Sequence, residues 1–334
     1  MSGSLSLRAR ILGAVPAVAV ATWLMGCAPT EPVCEPSSIT PDDTPCPEVY
    51  LGQGDIYEPG PLTVRRIEVA ACELAAPRPM LVFAPGQAGS YAVVLFQHGF
   101  LSGNFQYSRM LEHVASHGFI VVAPQMYPPG LSALFGEPAA AEEAEAAERI
   151  IAWLPGHLDA LTGVRACTER LGLAGHSRGG KVAWLVVTRQ PEVADAIAGV
   201  DPVDGSGGPL GRQDCVITGP FTFSVPALVV GTGLGGSCAP EGDNHVQFYE
   251  ASMSPAWHVV VPGQGHADML DDDASGVGLA RLLCPGGPET EGMRRLTAGL
   301  MVALFRATLQ GDEAAFSCLT DAEAAPIAVT IESK

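Results

Sequence analysis

Leu171-Gly172-Leu173-Ala174-Gly175-His176-Ser177-Arg178-Gly179-Gly180-Lys181-Val182-Ala183-Trp184-Leu185 runs from an apolar stretch into a helical one through a serine set between glycines. Residues 171–174 read as a buried strand and residues 181–188 as the helix after it. Between them, Gly175 to Gly179 fits G-x-S-x-G. A serine hydroxyl is a poor nucleophile unless it is exposed and beside a base. A sharp strand-to-helix turn exposes it, and such a turn admits only small neighbours, which Gly175 and Gly179 supply. The pentapeptide alone arises by chance. The strand before it and the helix after it make Ser177 the candidate nucleophile. The stretch lacks the G-K-[ST] ending of a phosphate-binding loop.

Outward from this motif the pattern repeats. Residues 63–70, 80–83, 91–96 and 119–123 before it, and 196–200, 227–231 and 258–261 after it, are short apolar runs that predict strands. Helical spacing covers residues 107–116, 139–154 and 294–309. Continuously apolar strands alternating with helices predict an α/β fold, a mainly parallel sheet with helices on both faces. The expected organisation is an export signal over residues 1–26, a Pro-rich tether over 27–62, the folded domain over 63–318 and a C-terminal tail over 319–334.

A serine turn of this kind needs an acid and then a histidine downstream. Gly265-His266-Ala267 follows the last predicted strand, so His266 is the candidate base; His245, in a Gly/Asp/Asn-rich loop, is its rival. His98, His113, His117, His157 and His176 precede Ser177 and break the order. Asp201 ends the strand after the serine turn and is the candidate acid, with Asp204 nearby as the alternative. Asp268, Asp271, Asp272 and Asp273 follow His266 and read as loop caps. The developing oxyanion needs two backbone N–H donors. Arg178, next after the serine, and Phe100, in the turn His98-Gly99-Phe100 after a strong apolar run, are the candidates. Phe100, Leu101, Met126, Tyr127, His176 and Val203 are the expected substrate-binding positions, on loop position alone.

Composition limits the classes available. The chain has 334 residues, 47% of them hydrophobic and 16% charged, enough for a sizeable core. A formal net charge of −18, with lysine only at positions 181 and 334, excludes nucleic acid and anionic lipid as natural partners. A small hydrophobic ester is the expected partner. Arg8 and Arg10 precede an apolar run over residues 11–24 that ends in Leu24-Met25-Gly26-Cys27. That order resembles a bacterial lipoprotein signal. It implies cleavage before Cys27, a lipid on its thiol, and an exported protein anchored at a membrane and facing the periplasm or cell exterior. Eight further cysteines suggest disulfides, with Cys34 and Cys46 a plausible local pair. No cysteine or histidine cluster has zinc spacing, and no metal or organic cofactor is expected.

Several segments together resemble one family. They are Val94-Leu95-Phe96-Gln97-His98-Gly99-Phe100, the run from His113 to Gln125, Ala174-Gly175-His176-Ser177-Arg178-Gly179-Gly180-Lys181, Gly199-Val200-Asp201-Pro202-Val203-Asp204-Gly205, Cys238-Ala239-Pro240 with Asn244-His245, and Gly265-His266 with Asp268 to Asp273. In this order they resemble chlorophyllases, α/β-hydrolases that cleave the phytyl ester of chlorophyll. The resemblance implies the α/β-hydrolase fold and puts the family's Ser, Asp and His on Ser177, Asp201 and His266. It gives His245 a structural or pocket-wall place. The loop Leu101 to Ser108 departs from the family, as does the lipoprotein-like N-terminus. General esterases, lipases and polyester hydrolases share the layout, and a silent pigment- or lipid-binding lipoprotein is the reading from outside enzymes.

Overall fold

The computed structural model describes residue 46 and residues 49–130, 138–205 and 215–334. The export signal, Cys27 and most of the tether lie outside them. Nine strands form one sheet: β1 Val64–Val69, β2 Met80–Pro85, β3 Ser90–Gln97, β4 Phe119–Pro124, β5 Arg165–His176, β6 Ala196–Val200, β7 Ala227–Thr232, β8 Ala256–Val261 and β9 Thr330–Ser333. The helices are α1 Ser108–Ser116, α2 Ala140–Thr162, α3 Arg178–Arg189, α4 His245–Ala251, α5 Val277–Leu283 and α6 Thr290–Leu309.

The strand order is β1-β2-β4-β3-β5-β6-β7-β8-β9. Pairing is parallel from β4 through β3, β5, β6 and β7 to β8. It is antiparallel for β1 with β2, β2 with β4 and β8 with β9. This is the α/β-hydrolase arrangement expected from the sequence. Every residue of β2, β3 and β4 is buried, as strands covered on both faces must be. The edges differ: β1 exposes Arg65, Arg66 and Glu68, and β9 exposes three of its four residues. Charged, short edges discourage pairing with another chain.

The two faces carry separate cores. Met110 and Leu111 of α1 pack with Leu300 and Phe305 of α6 on one side, and Ile150 of α2 with Trp184 of α3 on the other. α6 comes close because β5 offers a glycine there: a Cβ on Gly172 would stand 2.5 Å from the Phe305 ring.

Two boundaries and one disulfide differ from the sequence reading. Residues 49–62, expected as tether, belong to the domain, with Val49, Ile56 and Tyr57 buried in its core. Their backbone is held from afar: Gln310 accepts the Gly52 N–H, Ser116 accepts that of Gly60, and His113 donates to the Ile56 carbonyl. The C-terminal tail supplies β9. Cys46 is bonded to Cys167 of β5, so the local pair with Cys34 does not form. The incoming chain runs along β5, where Glu169 accepts the Cys46 N–H. A second disulfide joins Cys238 to Cys284.

Phe305→Ala is expected to lower unfolding stability by about 3–5 kcal/mol, because it empties the space Gly172 cannot fill. A urea midpoint within error of the wild type would refute this contact's weight.

Candidate active site

Ser177 is the single residue between β5 and α3, with φ 54° and ψ −122°. No β-carbon fits beside it. A Cβ on Gly175 would stand 2.3 Å from the Gly179 carbonyl carbon, and one on Gly179 2.2 Å from the Gln97 carbonyl oxygen. The Ser177 N–H donates to Val200 O at 3.0 Å, and its hydroxyl projects into a cavity. Asp201, at the end of β6, also holds a positive φ of 42°. Both residues stand in a sparsely populated backbone region that neighbouring strands enforce.

The structure brings the three separated residues together. His266 Nε2 lies 2.8 Å from Ser177 Oγ, and His266 Nδ1 lies 2.6 Å from Asp201 Oδ2. Asp201 is fully buried, and Thr232 gives it two further donors, N–H at 2.9 Å and Oγ1–H at 2.8 Å. Burial alone would raise the Asp201 carboxyl. The hydrogen bond and charge of His266, with Thr232 and His245 in support, hold it below its ordinary value. Asp204 stands elsewhere, accepting the N–H groups of Gly205, Val216 and Ile217. His245 lies behind Asp201, with Nδ1 2.8 Å from His258 Nε2 and Nε2 3.3 Å from Thr232 O. It is not beside Ser177.

A directed chain of donors steadies the histidine. Gly99 N–H donates to Tyr107 Oη at 3.0 Å, and Tyr107 O–H reaches His176 Nδ1 at 2.8 Å. His176 Nε2–H then donates to the His266 carbonyl at 2.9 Å. That carbonyl has no proton, so it fixes the His176 tautomer and, through it, the direction of the chain. Asp268 accepts the N–H groups of Gly265 at 2.7 Å and Gly287 at 2.6 Å, shaping the loop around His266.

Gly99 N–H is committed to Tyr107, and Phe100, next in that turn, lines the cavity beside Ser177. Arg178 heads α3, where N–H groups have no partner within the helix. Its buried guanidinium is tied to Glu143 of α2 and to the Pro138 carbonyl.

A cavity of about 500 Å³ opens beside Ser177. Phe100, Leu101, His176 and Val203 line it as expected. Met126 and Tyr127 do not: both turn into the core, where Met126 N–H donates to His98 Nε2 and Tyr127 Oη–H to Gly99 O. They brace the turn after β3, and the chain leaving β4 reaches the cavity only beyond them, at Pro129 and Gly130. The opposite wall was not foreseen. It comes from Phe105, Leu270, Leu279, Ala280 and Leu283. Its one signal in the sequence is the leucine-rich stretch over residues 277–283.

Burial pushes His98 down to about 4 and His176 to about 3. His117 and His258 are lowered in the same way, each to about 4. These folded values lie below the ordinary 6.5, so the stability they contribute is complete above pH 6.5 and lost as pH falls toward 4. Asp271, raised by burial to about 6, acts oppositely, since the folded state keeps a proton there that the unfolded chain releases. The histidines outnumber it. Unfolding free energies from urea titrations are therefore expected to drop between pH 6.5 and 4.5, by about 1.4 kcal/mol per pH unit for each fully buried histidine, and the midpoint with them. A flat or rising midpoint over that window would contradict the assignment of neutral histidines.

Comparison with known proteins agrees with the fold. The family model described as Chlorophyllase matches residues 53–333. The chain is 37% identical over 269 residues to "Chlorophyllase-1, chloroplastic" of Citrus unshiu, covering 75% of this chain and 79% of the relative. It is 36% identical over 260 residues to "Chlorophyllase-2" of Arabidopsis thaliana, covering 71% and 79%. Against "Chlorophyllase-1" of Arabidopsis thaliana it is 37% identical over 285 residues, covering 77% and 85%. With its sheet order, its serine turn and matches of this length, the chain belongs to the chlorophyllase family of α/β-hydrolases.

Proposed function

We propose that the protein is a serine carboxylesterase that cleaves the phytyl ester of chlorophyll or a related hydrophobic ester. The observation that carries this reading is the unbroken series Asp201, His266, Ser177 at the floor of a largely apolar cavity. His266 takes the proton of Ser177 as Oγ attacks the ester carbonyl, and Asp201 holds the imidazole in its working tautomer and balances its charge. The N–H groups of Phe100 and Arg178 receive the oxyanion. The tetrahedral species collapses as His266 passes its proton to the departing alcohol. Water, deprotonated by His266, then attacks the acyl-serine, and the acid leaves with Ser177 restored. Leu101, Val203, Leu270 and Leu283 supply the apolar contact that a long hydrocarbon ester requires.

The disulfides among the described residues support an oxidising compartment. Together with the signal-like N-terminus they favour an exported protein held by a lipid on Cys27. The ester it meets there is set by the medium around it.

Purified protein is expected to convert chlorophyll a to chlorophyllide and to react with a fluorophosphonate at Ser177. Ser177→Ala is expected to abolish labelling and to lower turnover by about 10,000-fold or more. Turnover of p-nitrophenyl esters with none of chlorophyll would leave a general esterase. Folded protein that resists labelling would leave a pigment- or lipid-binding protein. Tyr107→Phe removes one hydrogen bond from the chain that ends on the His266 carbonyl. It should lower kcat about tenfold with KM unchanged; an equal rise in KM would assign Tyr107 to binding instead.

A further inference from the structure

Three of the large apolar side chains left exposed among the described residues sit on one seven-residue helix. Leu279, Leu282 and Leu283 of α5 are 37%, 81% and 50% exposed. Single exposed leucines are ordinary, but a cluster at the mouth of a cavity marks an interaction surface. Leu279 and Leu283 also line the cavity beside Ser177. One apolar wall therefore serves the inside and the outside, and Leu282 extends it outward.

The helix is held where it is. Val277 is buried at its start, Cys284 at its end is bonded to Cys238, and Gln106 Nε2 donates to Ser275 O at 2.6 Å just before it. Arg281 is its only charged residue, and Asp272 holds that guanidinium at 2.6 Å. Asp272 also holds Arg294. The face thus offers hydrocarbon with no available cation.

We propose that α5 is a docking surface for an uncharged or zwitterionic lipid surface, entered by Leu279, Leu282 and Leu283. An ester dissolved in that lipid then reaches Ser177 along the leucine wall without crossing water. The proposal rests on the hydrolase reading of this cavity. The charge pattern selects the occupant: an anionic bilayer would need basic residues on the face and would meet a chain of net charge −18. A second copy of the chain fits poorly. Three leucines on so short a helix fall well below the roughly 800 Å² per partner of a stable interface. Such pairing would also close the cavity mouth. No helix among the described residues is long and apolar enough to cross a membrane, so the contact is with a surface.

The test uses the full chain with phosphatidylcholine vesicles, and phosphatidylglycerol vesicles for comparison. Leu282→Trp should show a blue-shifted emission component, quenched by brominated phosphatidylcholine, with the neutral vesicles and much less with the anionic ones. The shift should persist with Ser177→Ala, so it is read independently of hydrolysis. Leu282→Asp should slow cleavage of a vesicle-dissolved ester about tenfold or more and leave a soluble short-chain ester unaffected, since Leu282 does not line the cavity. Emission unchanged by lipid would overturn the proposal. So would a blue shift that grows with protein concentration in the absence of lipid, which would assign the face to self-association. Loss of soluble-ester turnover in the wild type would refute the hydrolase reading while the emission arm still judged the docking surface.

Discussion

The contact beneath Ser177 governs the rest of the site. The end of β5, the start of α3 and the end of β3 approach so closely that Gly175 and Gly179 touch each other and the Gln97 backbone. No side chain other than hydrogen is accommodated there. This crossing forces Ser177 to positive φ and lifts its hydroxyl off the sheet. It also brings the turn after β3 against the turn after β5, where a Cβ on Gly99 would stand 2.8 Å from His176 Nδ1. The proposed oxyanion donors, Phe100 and Arg178, are thus set by one steric constraint.

Polar groups then fix what the sheet brings near. Asp201 is buried with its lone pairs met by His266 and Thr232, so the carboxylate has one orientation. His266 sits on a loop that Asp268 shapes from within and His176 steadies from below. A buried carboxylate paired at both oxygens, as Asp201 is, holds geometry well, because a broken member leaves an unsolvated group behind. The cavity wall opposite is held by other means, chiefly the disulfide at the end of α5 and apolar packing.

Much of this was legible beforehand for a specific reason. Strands buried on both faces must be apolar throughout, so β3, β7 and the second half of β5 declared themselves, while the charged first half of β5 did not. The strand-turn-helix around Ser177 has demands only glycine meets. Other elements carried no such signal. Residues 49–62 are rich in proline and glycine and resemble a tether, yet Gln310, Ser116 and His113 supply their hydrogen bonds from distant helices. β9 is four residues long and mostly exposed, as an edge strand is, and reads as a tail. Met126 and Tyr127 were placed by loop position, which does not say toward which side of the chain a side chain turns.

Composition, the order of apolar runs and the glycine-serine turn were enough to determine an α/β fold with a candidate nucleophile at Ser177. The sequence also carried the order of acid and histidine after it. Asp201 and His266 were already the preferred candidates there; that Asp201 meets His266, while Asp204 binds backbone N–H groups and His245 pairs with His258, is visible only in the tertiary structure. Residues three positions apart at a strand end share the same local pattern. Which one meets an imidazole 65 positions away depends on how β6, β7 and the loop after β8 pack. Contacts of that range are properties of the assembled sheet, and no local stretch of chain records them.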